Sequence, residues 1–133
     1  AYAYLKEYDK AMADITHWIQ SHGGTQVATA SRIDDLYGND IVAGEGLVKK
    51  VLNPRFDLEK ITFQEALVHC ILPVRRVETV TDGLRWFDIK RYGIEIMHKR
   101  SGADPLYLKA YDNRCALQLP AQVIAAGMTP NPR

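Results

Sequence analysis

Surplus charge of either sign is missing from this 133-residue chain, in which 17 basic side chains offset 16 acidic ones for a net charge of +1. That balance removes the electrostatic case for nucleic acid, which requires a clustered basic excess. Cysteine is scarce too. Cys70 and Cys115 lie far apart without CxxC spacing, so they give no zinc signature. The pair permits one disulfide, while the apolar neighbours Val68, Ile71 and Leu72 favour a free buried thiol at Cys70. No apolar run approaches the roughly 18 residues of a membrane span, and no signal peptide opens the chain. Gly44-Glu45-Gly46 lacks the remaining glycine and the preceding strand of a phosphate loop. There is no Gly-x-Ser-x-Gly elbow, and His17, His22, His69 and His98 show no metal-ligand spacing. Nothing in the sequence therefore supports nucleophilic or metal catalysis, and no cofactor is implied. The first residue is not Met and falls inside a helical pattern, so the natural protein is expected to begin upstream, together with any targeting signal.

What is present suits one mainly helical domain, with 47% apolar residues to fill a core. From Ala1 to Ser21, Leu5, Tyr8, Met12, Ile15 and Ile19 recur at helical steps, and Gly23-Gly24 supplies a stop. Ala3 to Met12 is similar to the middle of a tetratricopeptide repeat, where a small residue lets two helices approach. Lys6 stands where that repeat usually has glycine, which leaves open a turn or a continuous helix. Residues 22–61 read as a long ordered excursion with short helices at Asp34–Tyr37 and Gly46–Leu52. Its anchors are Ile33, Leu36, Tyr37, Leu47, Val51, Leu52 and Phe56. Thr62 with Glu65 forms a capping box for a helix from Phe63 to Arg91, kinked or restarted at Pro73. Beyond Gly93, apolar Ile94, Ile96, Leu106 and Leu108 around Ser101-Gly102 predict a two-stranded hairpin. An extended tail from Asn113 leads to a short helix from Pro120 to Ala126, stopped by Gly127.

The most informative stretch is Arg75 to Arg91, in which seventeen residues hold four Arg, one Lys and three acids. On one helix, Val77, Val80, Leu84 and Phe87 share an apolar face, beside a stripe of Arg75, Glu78, Asp82 and Arg85 that alternates in sign. Gly83 within such a helix costs about 1 kcal/mol against Ala and suggests close approach of another backbone. Glu78, Asp82 and Asp88 could serve as catalytic carboxylates, one helical turn apart. The competing reading pairs Glu78 and Asp82 with Arg75 or Arg85, and Asp88 with Arg85 or Arg91. Fixed positive charge holds a carboxylate ionised, which suits a salt bridge and spoils a general acid. The second reading is preferred. Trp86 likewise reads as a wedge between helices before it reads as a sugar platform.

Those residues carry a resemblance. Arg75-Arg76-Val77-Glu78 through Asp82-Gly83-Leu84-Arg85-Trp86-Phe87-Asp88-Ile89-Lys90-Arg91 closely resembles the signature helix of SusD/RagB proteins, usually Glu-Arg-Arg-x-Glu…Glu-Gly-x-Arg-Trp-Phe-Asp-x-x-Arg. Asp112-Asn113-Arg114, Gln118-Leu119-Pro120 and Gly127 to Arg133 look like that family's terminus, and Ala1–Ile15 is similar to its last tetratricopeptide-like unit. Pro73-Val74 departs from the pattern where an acid normally precedes the arginines, and Asp82 replaces Glu.

The resemblance implies a mainly α fold: the C-terminal part of a tetratricopeptide-like SusD scaffold with a small β-hairpin, residues 1–133 forming one region of a larger chain. It implies a surface-exposed, lipid-anchored protein of the Bacteroidetes outer membrane that binds a glycan or other nutrient. Such proteins cap a TonB-dependent SusC-like transporter and are not enzymes. Membrane contact would run only through an anchor outside this chain, since neither Cys70 nor Cys115 can be the lipidated N-terminal Cys. Ligand contacts would lie mostly upstream. Arg75, Arg76, Glu78, Asp82, Gly83, Arg85, Trp86, Asp88 and Arg91 would then be structural, with no catalytic or metal role. The alternative is a helical-repeat module that recruits a protein partner without binding a nutrient.

Overall fold

The computed structural model of the chain describes residues 1–38 and 50–132. It is mainly helical, with one small antiparallel sheet, and forms two compact units. The first comprises Ala1–Lys49 and Phe56–Arg85, and the second Lys50–Arg55 and Trp86–Arg133.

In the first unit, α1 (Tyr8–Ser21), α2 (Ala30–Tyr37) and α3 (Phe63–Glu78) carry the apolar core. Helix α1 begins at Tyr8, seven residues later than the periodicity suggests. The break is at Lys6, which sits at φ +59° after a turn closed by Tyr4 and Leu5 N–H groups on the Ala1 carbonyl. So the position that carries glycine in the repeat does form a turn, with a lysine in the left-handed region. Lys6 is held there by an ion pair with Glu59. At its far end α1 stops where expected, with Gly23 at φ +80°. Ala11 and Ile15 face inward, and Leu5, outside the helix, is exposed.

Helix α2 is capped by the Thr29 hydroxyl, which accepts from Arg32 N–H, and it buries Ile33 against a neighbour that is chiefly α3. Ile33 and Leu52 anchor the 22–61 segment as expected, but Leu36 and Val51 face solvent. The expected anchor Leu47 and most of the Gly46–Leu52 helix lie outside the described residues, and residues 50–52 are not helical.

Helix α3 buries Gln64, Ala66, Leu67, Val68, His69 and Leu72. Its N-terminus departs from the expected capping box. Thr62 Oγ1 donates to the Glu59 carbonyl, and Glu65 reaches past it to accept from Ile61 N–H at 2.7 Å. A second correction matters more. The helix runs through Pro73 and ends at Glu78, so there is no single helix from Phe63 to Arg91. Thr79, Val80, Thr81, Asp82 and Gly83 are five weak helix formers in a row, and their summed propensity outweighs the one hydrogen bond lost at proline. Thr79 Oγ1 and N–H both cap the Arg75 carbonyl, and Asp82 N–H bonds back to Thr79.

Helices α1 and α3 run in the same direction. At their N-terminal ends Tyr8 meets Phe63 edge-to-face with ring centroids 5.2 Å apart, and at their C-terminal ends Trp18 reaches Glu78.

The second unit holds most of α4 (Arg85–Tyr92), then β1 (Ile96–Arg100), β2 (Ala103–Leu108), a 3-10 turn at Asn113–Cys115 and α5 (Ala121–Ala125). The hairpin forms as expected, pairing Ile96 with Leu108 and His98 with Leu106 across a Ser101-Gly102 connection, with an irregularity before Arg100. The tail from Asn113 opens with the 3-10 turn instead of extended chain, because Asp112 caps it by accepting from Arg114 N–H. Gly127, at φ +99°, ends α5.

Residues 50–55 join this unit through Asn53. Its N–H bonds to the Tyr92 carbonyl at 2.8 Å, and its own carbonyl accepts from the Tyr111 hydroxyl at 2.5 Å. Gly93, at φ +56°, lies between them, where a Cβ would collide with the Asn53 carbonyl oxygen and sit 2.9 Å from the Tyr111 ring. Gly83 is different, because a Cβ there meets nothing within 4 Å and only its φ of +68° calls for glycine. The close backbone approach expected at Gly83 is thus found at Gly93. Gly93→Ala should lower unfolding free energy by more than about 2 kcal/mol, and Gly83→Ala by about 1 kcal/mol, read from urea melts.

Candidate functional site

The segment of the resemblance spans the end of α3, a turn and α4. Arg75 and Arg76 lie in the last turn of α3, where positive charge meets the negative end of the helix dipole. Asp82 and Gly83 lie in the turn, and Arg85, Trp86, Asp88 and Arg91 on α4. The expected common apolar face is not assembled: Val77, Val80 and Phe87 are 64%, 72% and 63% exposed. With six residues of turn between the helices, their spacing no longer maps onto one rotation. The charge stripe is divided for the same reason. Trp86 is 37% exposed.

Glu78 is the best-defined member of the set. Its Oε1 accepts from Trp18 Nε1 at 2.6 Å and faces His22 Nε2 at 3.1 Å. The two rings lie 4.6 Å apart, and His22 Nδ1 is 2.9 Å from the Trp18 carbonyl. Glu78 therefore ties the C-terminal ends of α1 and α3 together, as a carboxylate used for joining. Its partners at Oε1 are an indole and an imidazole, neither of which the sequence suggested.

The other two carboxylates have different surroundings. Asp82 is exposed and takes a 3.4 Å contact from Thr81 Oγ1. Asp88 is buried, at 3% exposure, in the first turn of α4. The three carboxylates thus lie in three different environments. Among the described residues no three His, Cys, Asp or Glu side chains gather as a metal site.

The terminal residues of the resemblance are joined to each other. Gln118 Oε1 accepts from Asn131 N–H at 2.9 Å, and Asn131 Nδ2 donates to the Leu117 carbonyl at 2.6 Å. Arg114 holds Asp112 at both oxygens, with Nε to Oδ1 at 2.8 Å and Nη2 to Oδ2 at 2.7 Å, and also donates to the Tyr107 carbonyl. These guanidinium bonds, then the Arg114 N–H, lower the Asp112 carboxyl to about 2. In the same unit a pocket of about 250 Å³ opens beside Asp112, lined by residues of the 50–55 segment, α4 and the tail.

Both thiols are free and half-buried, so the disulfide left open by the sequence is not formed. Burial pushes the Cys70 thiol up to about 11. Two anchors gave no local signal. Gln64 is the buried amide that binds the N-terminal turn to α3, and Trp18 is the indole that binds Glu78. No helix among the described residues is long and apolar enough to cross a membrane. Compared with protein-family models, curated proteins and solved structures, the chain matches none.

A double-mutant cycle on Trp18→Phe and Glu78→Gln should return a coupling of about 1 kcal/mol, modest because both partners are partly solvated. The Asp112 carboxyl, followed by NMR, should titrate near 2. Since that value is depressed, the clamp's stabilisation is complete above the ordinary 3.8 and is lost as pH falls toward about 2. Arg114→Gln should move the midpoint back up.

Proposed function

We propose that the chain is the C-terminal part of a SusD-like surface lipoprotein that binds a glycan or other nutrient and delivers it to a TonB-dependent SusC-like outer-membrane transporter. It acts by binding and has no catalytic step. The observation that carries this reading is the ordered fingerprint Arg75-Arg76-x-Glu78…Asp82-Gly83-x-Arg85-Trp86-Phe87-Asp88-x-x-Arg91, followed by Asp112-Asn113-Arg114 and the Gln118 and Asn131 elements.

Three structural features support it. Glu78 and the Asp112–Arg114 pair serve as joints between elements, which suits a scaffold more than a reaction centre. A turn forms at Lys6 with Ala3 buried beside it, as a tetratricopeptide-like unit needs for helices to approach closely. A mainly helical body with one small hairpin agrees with the fold the resemblance implies. The exposed pair Val77 and Val80 favours the second reading, a helical-repeat module that recruits a protein without touching a nutrient.

Affinity purification of the full-length protein from detergent-solubilised outer membranes separates the two. Near-stoichiometric recovery of a TonB-dependent transporter, with removal of the protein from intact cells by external protease, is the expected result. Protection from that protease and recovery of a different partner would establish the repeat module instead.

A further inference from the structure

The pocket of the second unit has an electrostatic character that the scaffold does not require. Three cationic side chains line it, Arg55, Lys90 and Lys109, against one carboxylate, Asp112. That carboxylate is already neutralised, since both of its oxygens are bonded to Arg114. Lys109 is near enough to help depress Asp112, yet neither it nor Lys90 forms a salt bridge among the described residues. Arg55 lies over the Tyr111 ring, 4.0 Å from its centroid. Stacking of that kind occupies the faces of a guanidinium and leaves its in-plane N–H groups able to donate. Three like charges around one concavity repel each other, and a bound anion relieves that repulsion.

Size and lining narrow the occupant. About 250 Å³ is below the roughly 300–1,000 Å³ typical of sites for drug-sized ligands, so the ligand is small. Ile89 and Ile94 supply apolar wall, which a bare inorganic ion would not use. We propose that this pocket binds a small organic anion, whose carboxylate or phosphate group is held by Arg55, Lys90 and Lys109 over the Ile89–Ile94 wall. The inference stands on this pocket alone and is separate from transporter delivery.

Cys115 lines the pocket and reports on its occupancy. Its alkylation, resolved from that of Cys70 by peptide mass spectrometry, is followed in the intact chain at constant ionic strength with glucuronate, glucose 6-phosphate, inorganic phosphate or glucose added. Glucuronate or glucose 6-phosphate should slow labelling of Cys115 at millimolar concentration, and whichever does so better identifies the oxyanion. Inorganic phosphate should protect less than either, and glucose not at all. Lys90→Gln with Lys109→Gln, both at exposed positions, should weaken the protection about tenfold with an unchanged melt. Protection by glucose equal to that by the anions would overturn the proposal, as would labelling indifferent to all four. Protection by the wild-type chain that survives the double substitution would overturn the assigned residues.

Discussion

The carboxamide of Gln64 is the fixed point of the first unit. It is 2% exposed, and a buried amide left without partners costs about 1–3 kcal/mol, so its geometry must be satisfied. Nε2 donates to the Ala3 and Tyr4 carbonyls while Oε1 accepts from Glu59 N–H. One side chain at the start of α3 thereby serves the N-terminal turn and the approach to its own helix. The contacts around it follow from that register: Tyr4 against Phe56, Lys6 with Glu59, and Tyr8 against Phe63. With the N-terminal ends of α1 and α3 set by this cluster, Glu78 can close their other ends on Trp18 and His22.

Features encoded by adjacent residues were legible in the sequence. Gly23 stopping α1, the hairpin around Ser101-Gly102 and the short helix between Pro120 and Gly127 each rest on turn chemistry a few residues long. Misreading began where two local signals conflicted. Between Val77 and Arg91 an apolar and charged periodicity argued for one helix, and a run of weak helix formers argued against it. The run prevailed, since periodicity reports which face would be buried and cannot by itself pay the backbone cost of Thr79 to Gly83. Glycine showed a related ambiguity: its presence marked both Gly83 and Gly93, but only the fold distinguished a free positive φ from a crowded one.

The joints were hidden for a different reason. Glu78 and Trp18 are 60 residues apart, and Tyr111 and Asn53 are 58 apart. No spacing rule connects such pairs. The sequence suggested arginines for Glu78, its neighbours in the chain, where the fold also brings it an indole and an imidazole. The pocket was equally unreadable. Arg55, Lys90 and Lys109 are scattered across 55 positions and converge only after residues 50–55 are placed.

That placement bears on how the molecule can be made. The second unit owns six residues, Lys50–Arg55, that emerge from the ribosome well before the rest of it. Asn53 must wait for Tyr92 and then for Tyr111, while the intervening stretch folds into the other unit. Until Tyr92 and Tyr111 have been made, Asn53 lacks these two partners, and closing its loop carries an entropic charge. The two units are thus interleaved in the gene, and no single cut in the chain can separate them whole.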